Sequence, residues 1–342
     1  MDIHVRGSIE FEKILDYTFT NAISLTRQRI AIQQFLDQKD EESTDSDHQQ
    51  LIRHLTTYGR AMQSCISKLS GTNITIQPCF SWSINHEPIQ SACWVLEAIM
   101  PNIVNLQLQL DLGHKSVEQE NYKQANKYYK KAHEIAKETE ILNRQWKWKI
   151  PSMNHKICST SWHIAQQYYT ECLQQLCTIS VGIQSETNDK SMYTLAQRTL
   201  RSAALSYAHW KTDEVGKIIT LSDGLRYLYS SNILWNREEY GQSIYRLEHW
   251  LQKTEIDPQW PILKREFEKI NFLLQERRHT NEGAYFETIG PARALPDLPT
   301  IIHTKNIKHP EKGMLQNQDN QPSNQQNLNS ALLTTTSLPN NP

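Results

Sequence analysis

The stretch that decides the fold is NYKQANKYYKKAHEIAKETEIL, Asn121–Leu142. Tyr122, Ala125, Tyr129, Ala132 and Ala136 recur every three or four residues, which places them on one stripe of an α-helix. Small residues interleaved with aromatic ones let a neighbouring helix approach closely while the rings fill the space between. A helix of that kind belongs in a stacked array, where each unit buries its face against the next. Such arrays build surfaces on which other proteins dock, and seldom do chemistry.

The same spacing recurs outward from this helix. Leu51, Leu55, Tyr58, Met62, Cys65 and Leu69 form one stripe, and Ala92, Leu96, Ile99, Ile103, Leu106 and Leu110 another, with a kink expected at Pro101. Trp162, Ala165, Tyr169, Cys172, Leu176 and Ile179 make a third, and Tyr193, Ala196, Leu200, Ala203 and Tyr207 a fourth. Ile218, Leu221, Leu225 and Leu228, then Tyr240, Ile244, Leu247 and Leu251, continue the series. These stripes predict an all-α protein with a tetratricopeptide-like solenoid core. The β-branched run Thr72–Cys79 allows at most a few short strands near the N-terminal part.

Polar breaks separate the stripes. DQKDEESTDSD, Asp37–Asp47, reads as a solvated connector, and Gln184–Lys190 as a second loop. Beyond Arg278, Pro291, Pro296 and Pro299 forbid regular helix, so an extended strap is expected to lie back over the helices. One domain is therefore expected over residues 1–310. Residues 311–342, rich in Gln, Asn, Ser and Thr, read as a disordered tail.

Composition removes several function classes. The 36 basic and 37 acidic residues nearly cancel, which argues against a nucleic-acid partner. Mean hydropathy is -0.64, and no apolar run approaches the roughly 20 residues of a membrane span. The opening MDIHVRGSIEF has no signal-peptide core, so a cytoplasmic protein is expected. The six cysteines form no C-x-x-C pair and read as free thiols. His155, Cys158, His163 and Cys172 match no metal-ligand spacing, and packing roles are expected for them. Only 11 glycines serve the chain, and no phosphate-binding loop, nucleophile elbow or H-E-x-x-H is present. Neither catalysis, a cofactor nor a small-molecule substrate is expected. Lys123, Lys127, Lys130 and Lys137 form a stripe interrupted by Glu134 and Glu138, which reads as a solvated face. Trp146 and Trp148 read as locally packed, with an exposed docking anchor as the other possibility.

Taken in order, several motifs resemble the Bro-type (Bro-one) domain family of the Alix and Brox proteins, its Brox-like members most closely. These are RQRIAIQQF (Arg27–Phe35), Phe80-Ser81-Trp82, SACWVLEAIMPNIV, the Asn121 helix, Ala165-Gln166-Gln167, Tyr240-Gly241-Gln242-x-Ile244-x-x-Leu247, and Asn281 to Phe286. The resemblance spans about Leu25 to Ile307. It implies an elongated, curved helical domain that acts as a non-enzymatic accessory adaptor of ESCRT. The implied partner is the C-terminal amphipathic helix of an ESCRT-III subunit, held in an apolar groove. Endosomal sorting, membrane remodelling and peripheral recruitment to endosomal or nuclear-envelope membranes are implied with it.

Carried over residue by residue, Tyr169 matches a groove position just after Ala165-Gln166-Gln167, and Leu195 matches another on the next helix. Cys172 stands where Alix has a basic residue. Ser191 replaces an aliphatic groove residue, and Met192 is its nearest substitute. Met192 and Leu195 fall off their helix's main stripe, which suits an apolar surface beyond the core. Brox-like members end in a prenylated C-a-a-X box. This sequence ends SLPNNP, so no lipid anchor is expected. Two other readings stay open: a tetratricopeptide-like peptide binder outside the ESCRT pathway, and an enzyme, which would require a deep pocket with perturbed titratable groups.

Overall fold

A computed structural model describes residues 3–7, 9–15, 22–37, 45–69, 79–84, 87–91, 94–145, 159–251 and 260–290. The strap beyond Gly290, the Gln/Asn-rich tail, Trp146 and Trp148, and all but Cys79 of the run Thr72–Cys79 lie outside them.

The chain opens with strand β1 (Ile3–Arg6), a short helix α1 (Phe11–Ile14), and helices α2 (Ala22–Asp37) and α3 (Asp45–Leu69). Strands β2 (Phe80–Ile84) and β3 (Glu87–Ser91) complete an antiparallel sheet of order β1-β2-β3, in which Val5, Trp82 and Ile89 share a register line. Seven helices follow: α4 (Trp94–Glu118), α5 (Tyr122–Gln145), α6 (Thr160–Gln184), α7 (Asp189–His209), α8 (Asp213–Trp235), α9 (Tyr240–Leu251) and α10 (Pro261–Thr280). A π-helical turn, Asn281–Tyr285, ends the described chain's helical part. The all-α expectation holds, with one small sheet among the described residues. Helix α4 runs on through Pro101.

Each helix from α2 to α9 packs on its sequence neighbours, as a solenoid requires. The α5 stripe is the seam of this order: Tyr122, Ala125, Tyr129, Ala132 and Ala136 are all buried. The close approach it promises is visible at Gly113 of α4, where a Cβ would stand 2.3 Å from the Tyr129 ring. Any larger residue there would push α4 and α5 apart. Because α4 has helices on both sides, residues all around it are buried, including the consecutive Leu96, Glu97, Ala98, Ile99 and Met100.

Three of the motifs meet at one point in the core. Glu97, on α4, is fully buried, and Arg29 of α2 reaches it with Nε 2.8 Å from Oε1. Tyr58 of α3 donates its hydroxyl to the same oxygen at 2.6 Å, and the Trp82 indole of β2 donates to Oε2 at 2.6 Å. The remaining Arg29 nitrogens donate to the carbonyls of Gly7 at 2.6 Å and Ser81 at 3.3 Å. A buried ion pair is tolerated only when its remaining hydrogen-bonding groups are met in this way. Burial, followed by the Glu97 charge, pushes the Tyr58 phenol well above its ordinary range, so it remains a donor.

At the other end, the segment after the π-helical turn is fastened to α9. Glu287 takes the Gly241 backbone N–H at 2.8 Å, while Asn281 brackets Glu287 with bonds of 2.8 and 3.1 Å to its backbone. A Cβ on Gly241 would sit 2.3 Å from the Thr288 carbonyl oxygen. Gly241→Ala is therefore expected to lift residues 286–290 from α9 at a cost of about 1–3 kcal/mol. Faster proteolytic cleavage after residue 281, with little change in far-ultraviolet circular dichroism, would register it.

Candidate partner-binding site

A pocket of about 450 Å³ lies where α4, α6 and the start of α8 converge. Helix α4 supplies Gln107, Leu110 and His114, and α6 supplies Trp162, Ala165, Gln166 and Tyr169 at i, i+3, i+4 and i+7 spacing. Ser206 near the end of α7, Trp210 just beyond it, and Thr212, Glu214 and Val215 at the start of α8 complete the wall. The short turn between α7 and α8, Trp210 to Thr212, has its own local logic. The Trp210 N–H closes α7 on the Ser206 carbonyl at 2.8 Å, and the Thr212 hydroxyl caps α8 by accepting from the Val215 N–H at 3.3 Å. Ser206 also donates to the Ala165 carbonyl at 2.9 Å, which locks α7 to α6 beside the pocket.

Electrostatically the wall is one-sided. The Tyr169 hydroxyl donates to the Glu214 carboxylate. Burial first, and the Glu214 charge second, raise the Tyr169 phenol far above its usual range, so it serves as a fixed donor and not as a base. His114 shares a 3.1 Å hydrogen bond with the Tyr129 hydroxyl, which ties the pocket to the α5 stripe. No lysine or arginine lines the pocket among the described residues. Helix α8 carries Asp213 and Glu214 in its first turn, where the helix dipole favours negative charge.

The four residues assigned to the partner groove fall into different settings. Tyr169 is 6% exposed and borders the pocket. Cys172 is wholly buried between α6 and α7, its thiol directed to the Thr199 carbonyl at 3.7 Å and its pKa driven up by burial. Such a thiol is inert packing. Met192 is 1% exposed; its sulfur lies over Gly182 of α6, where a Cβ would stand 2.6 Å away. It therefore belongs to the core and not to a surface beyond it, because α7 is covered by α6 on one side and α8 on the other. Leu195 alone is half-buried, packed against the core with part of its side chain open. Trp210 and Glu214 were not singled out from the sequence. They stand between stripes, and only folding brings them to α6.

Among the described residues no cluster of three or more histidine, cysteine, aspartate or glutamate side chains could hold a metal ion, and no helix is long and apolar enough to cross a membrane. Free thiols are found at Cys65, Cys79, Cys172 and Cys177.

No family model and no curated protein matches the sequence. Solved structures do match. The complex of the ALIX Bro1 domain with CHMP4C is similar with a TM-score of 0.67 at 13% identity, covering 88% of this chain and 91% of that one. ALIX in complex with the SIVmac239 PYKEVTEDL late domain is similar with a TM-score of 0.64 at 13% identity, over 87% of this chain and 46% of the ALIX chain. A Bro1 domain whose structure addresses endosomal targeting is similar with a TM-score of 0.59 at 12% identity, over 93% and 94%. At that identity the likeness speaks for architecture, and on it the chain has the fold of the Bro1 domain.

Proposed function

We propose that the protein is a non-enzymatic ESCRT-accessory adaptor that binds the C-terminal amphipathic helix of an ESCRT-III subunit. The observation that carries this reading is the end-to-end likeness to the ALIX Bro1 domain in its complex with CHMP4C, over 88% of this chain. The ordered motifs support it, and a Brox-like member of the family is part of the same reading. Recognition is by helix in groove: apolar anchors at i, i+3 and i+4 enter a preformed surface. Leu195 is its apolar contact and Tyr169 stands at its margin. Cys172 and Met192 hold α7 in place from beneath. Recruitment to endosomal or nuclear-envelope membranes follows from the partner.

The test is calorimetric titration of the full chain with the C-terminal helices of the host's ESCRT-III subunits. Micromolar binding to one of them is the expected result; no binding by a helical, folded sample would overturn the reading. Leu195→Asp should weaken that binding at least tenfold, about 1.4 kcal/mol, in a domain that remains folded. Equal affinity in the folded variant would remove Leu195 from the groove. Binding of extended peptides in preference to amphipathic helices would favour a tetratricopeptide-like receptor instead.

A further inference from the structure

The pocket between α4, α6 and α8 has a composition that an apolar helix groove does not need. Its wall combines two tryptophans, Trp162 and Trp210, with Tyr169 and one carboxylate, Glu214. Aromatic faces carry partial negative charge and attract a cation that has shed its water. A carboxylate at the same site adds a full opposite charge. Among the described residues the only one of the wall that could carry positive charge is His114, and its Nδ1 is engaged with Tyr129. Lys211, next to Trp210 in sequence, does not line the pocket, and its Nζ lies 5.9 Å from the Tyr207 ring. The charge balance therefore favours a positive guest. At about 450 Å³ the pocket takes a side chain and not a folded element.

We infer that this pocket receives the ammonium group of a lysine side chain carried by a partner peptide. The methylene stem of the lysine runs along Leu110 and the tryptophans, and the ammonium meets Glu214 at the exposed edge. Tyr169 is a positioning residue: its hydroxyl holds the Glu214 carboxylate at the pocket. The inference deepens the adaptor reading in one respect only, in that the lysine arrives on the docked partner. It adds a charge requirement to a surface otherwise read as apolar.

The indole N–H signals of Trp162 and Trp210, assigned with Trp162→Phe and Trp210→Phe variants of the full chain, report the pocket directly. Titration with N-acetyl-lysine N-methylamide should shift both signals saturably. The norleucine analogue, with the same stem and no charge, should bind at least fivefold more weakly. Glu214→Gln, an exposed change that leaves an acceptor for Tyr169, should weaken the lysine analogue at least fivefold without moving the unfolding midpoint. Equal binding of the two analogues, or no shift with lysine, overturns the inference. Choline binding more tightly than lysine would also overturn it, in favour of a quaternary headgroup. If ESCRT-III helices fail while the lysine analogue binds, the adaptor reading falls and the pocket assignment stands; the reverse result removes the pocket assignment alone.

Discussion

Glu97→Ala is expected to destabilise the fold by about 3–5 kcal/mol, the range found when one partner of a buried ion pair is removed. The loss is not confined to the salt bridge. Arg29 would remain buried with a full charge, and the Tyr58 hydroxyl and Trp82 indole would lose their acceptor. Domains are stable by only about 5–15 kcal/mol in total, so this single change removes a large share. Urea denaturation followed by circular dichroism would show it as a fall in midpoint at a constant slope. The double change Arg29→Met with Glu97→Leu should cost less than the two single changes added together, since no unpaired charge is left. It should still fall short of the original protein, because Tyr58, Trp82 and the Gly7 carbonyl would remain without partners. A double variant less stable than the sum of the singles would mean that the cluster is not acting as one unit.

Tyr129→Ala should have an effect of similar size, about 3–5 kcal/mol, from loss of a large buried side chain and the cavity it leaves. The ring is fully buried, lies against Gly113 of α4 and is 6.5 Å from the Trp260 ring. It touches elements that cannot all move in to fill the gap. Tyr129→Phe keeps the ring and removes only the bond to His114, so about 1 kcal/mol is expected. Unfolding midpoints of the pair separate packing from hydrogen bonding. Equal losses in both variants would place the weight on the hydroxyl and contradict the packing argument.

The helices were legible because their apolar residues keep a 3.6-residue beat, and the α5 stripe is buried at every position read from it. The sheet was visible only as a motif: Phe80-Ser81-Trp82 marks β2, but nothing in the sequence tells which strands flank it. Glu97 escaped notice because it is one charge within an apolar run, and its partner Arg29 is 68 residues away. Periodicity also misplaced Met192. A single stripe assumes one covered face, whereas a helix between two neighbours has two. The pocket was out of reach for a related reason. Its wall joins α4, α6 and the α7–α8 turn, and no local pattern encodes which alternate helices will face one another.

The start of α10 is braced to the start of α5. Trp260 stacks on Tyr122 with rings 6.2 Å apart and nearly parallel, the Ile262 N–H donates to the Tyr122 hydroxyl at 3.3 Å, and Arg265 grips Glu120 through bonds of 2.9 and 2.6 Å. These partners are about 140 residues apart in the chain. A strictly linear stack frays from its ends, one repeat at a time, because each unit answers only to its neighbours. The brace ties the last long helix to the middle of the stack, so that end cannot open without also releasing α5. The helices between them then share one cooperative transition, and their amide hydrogens should exchange with common protection instead of a gradient declining toward the C-terminal helix.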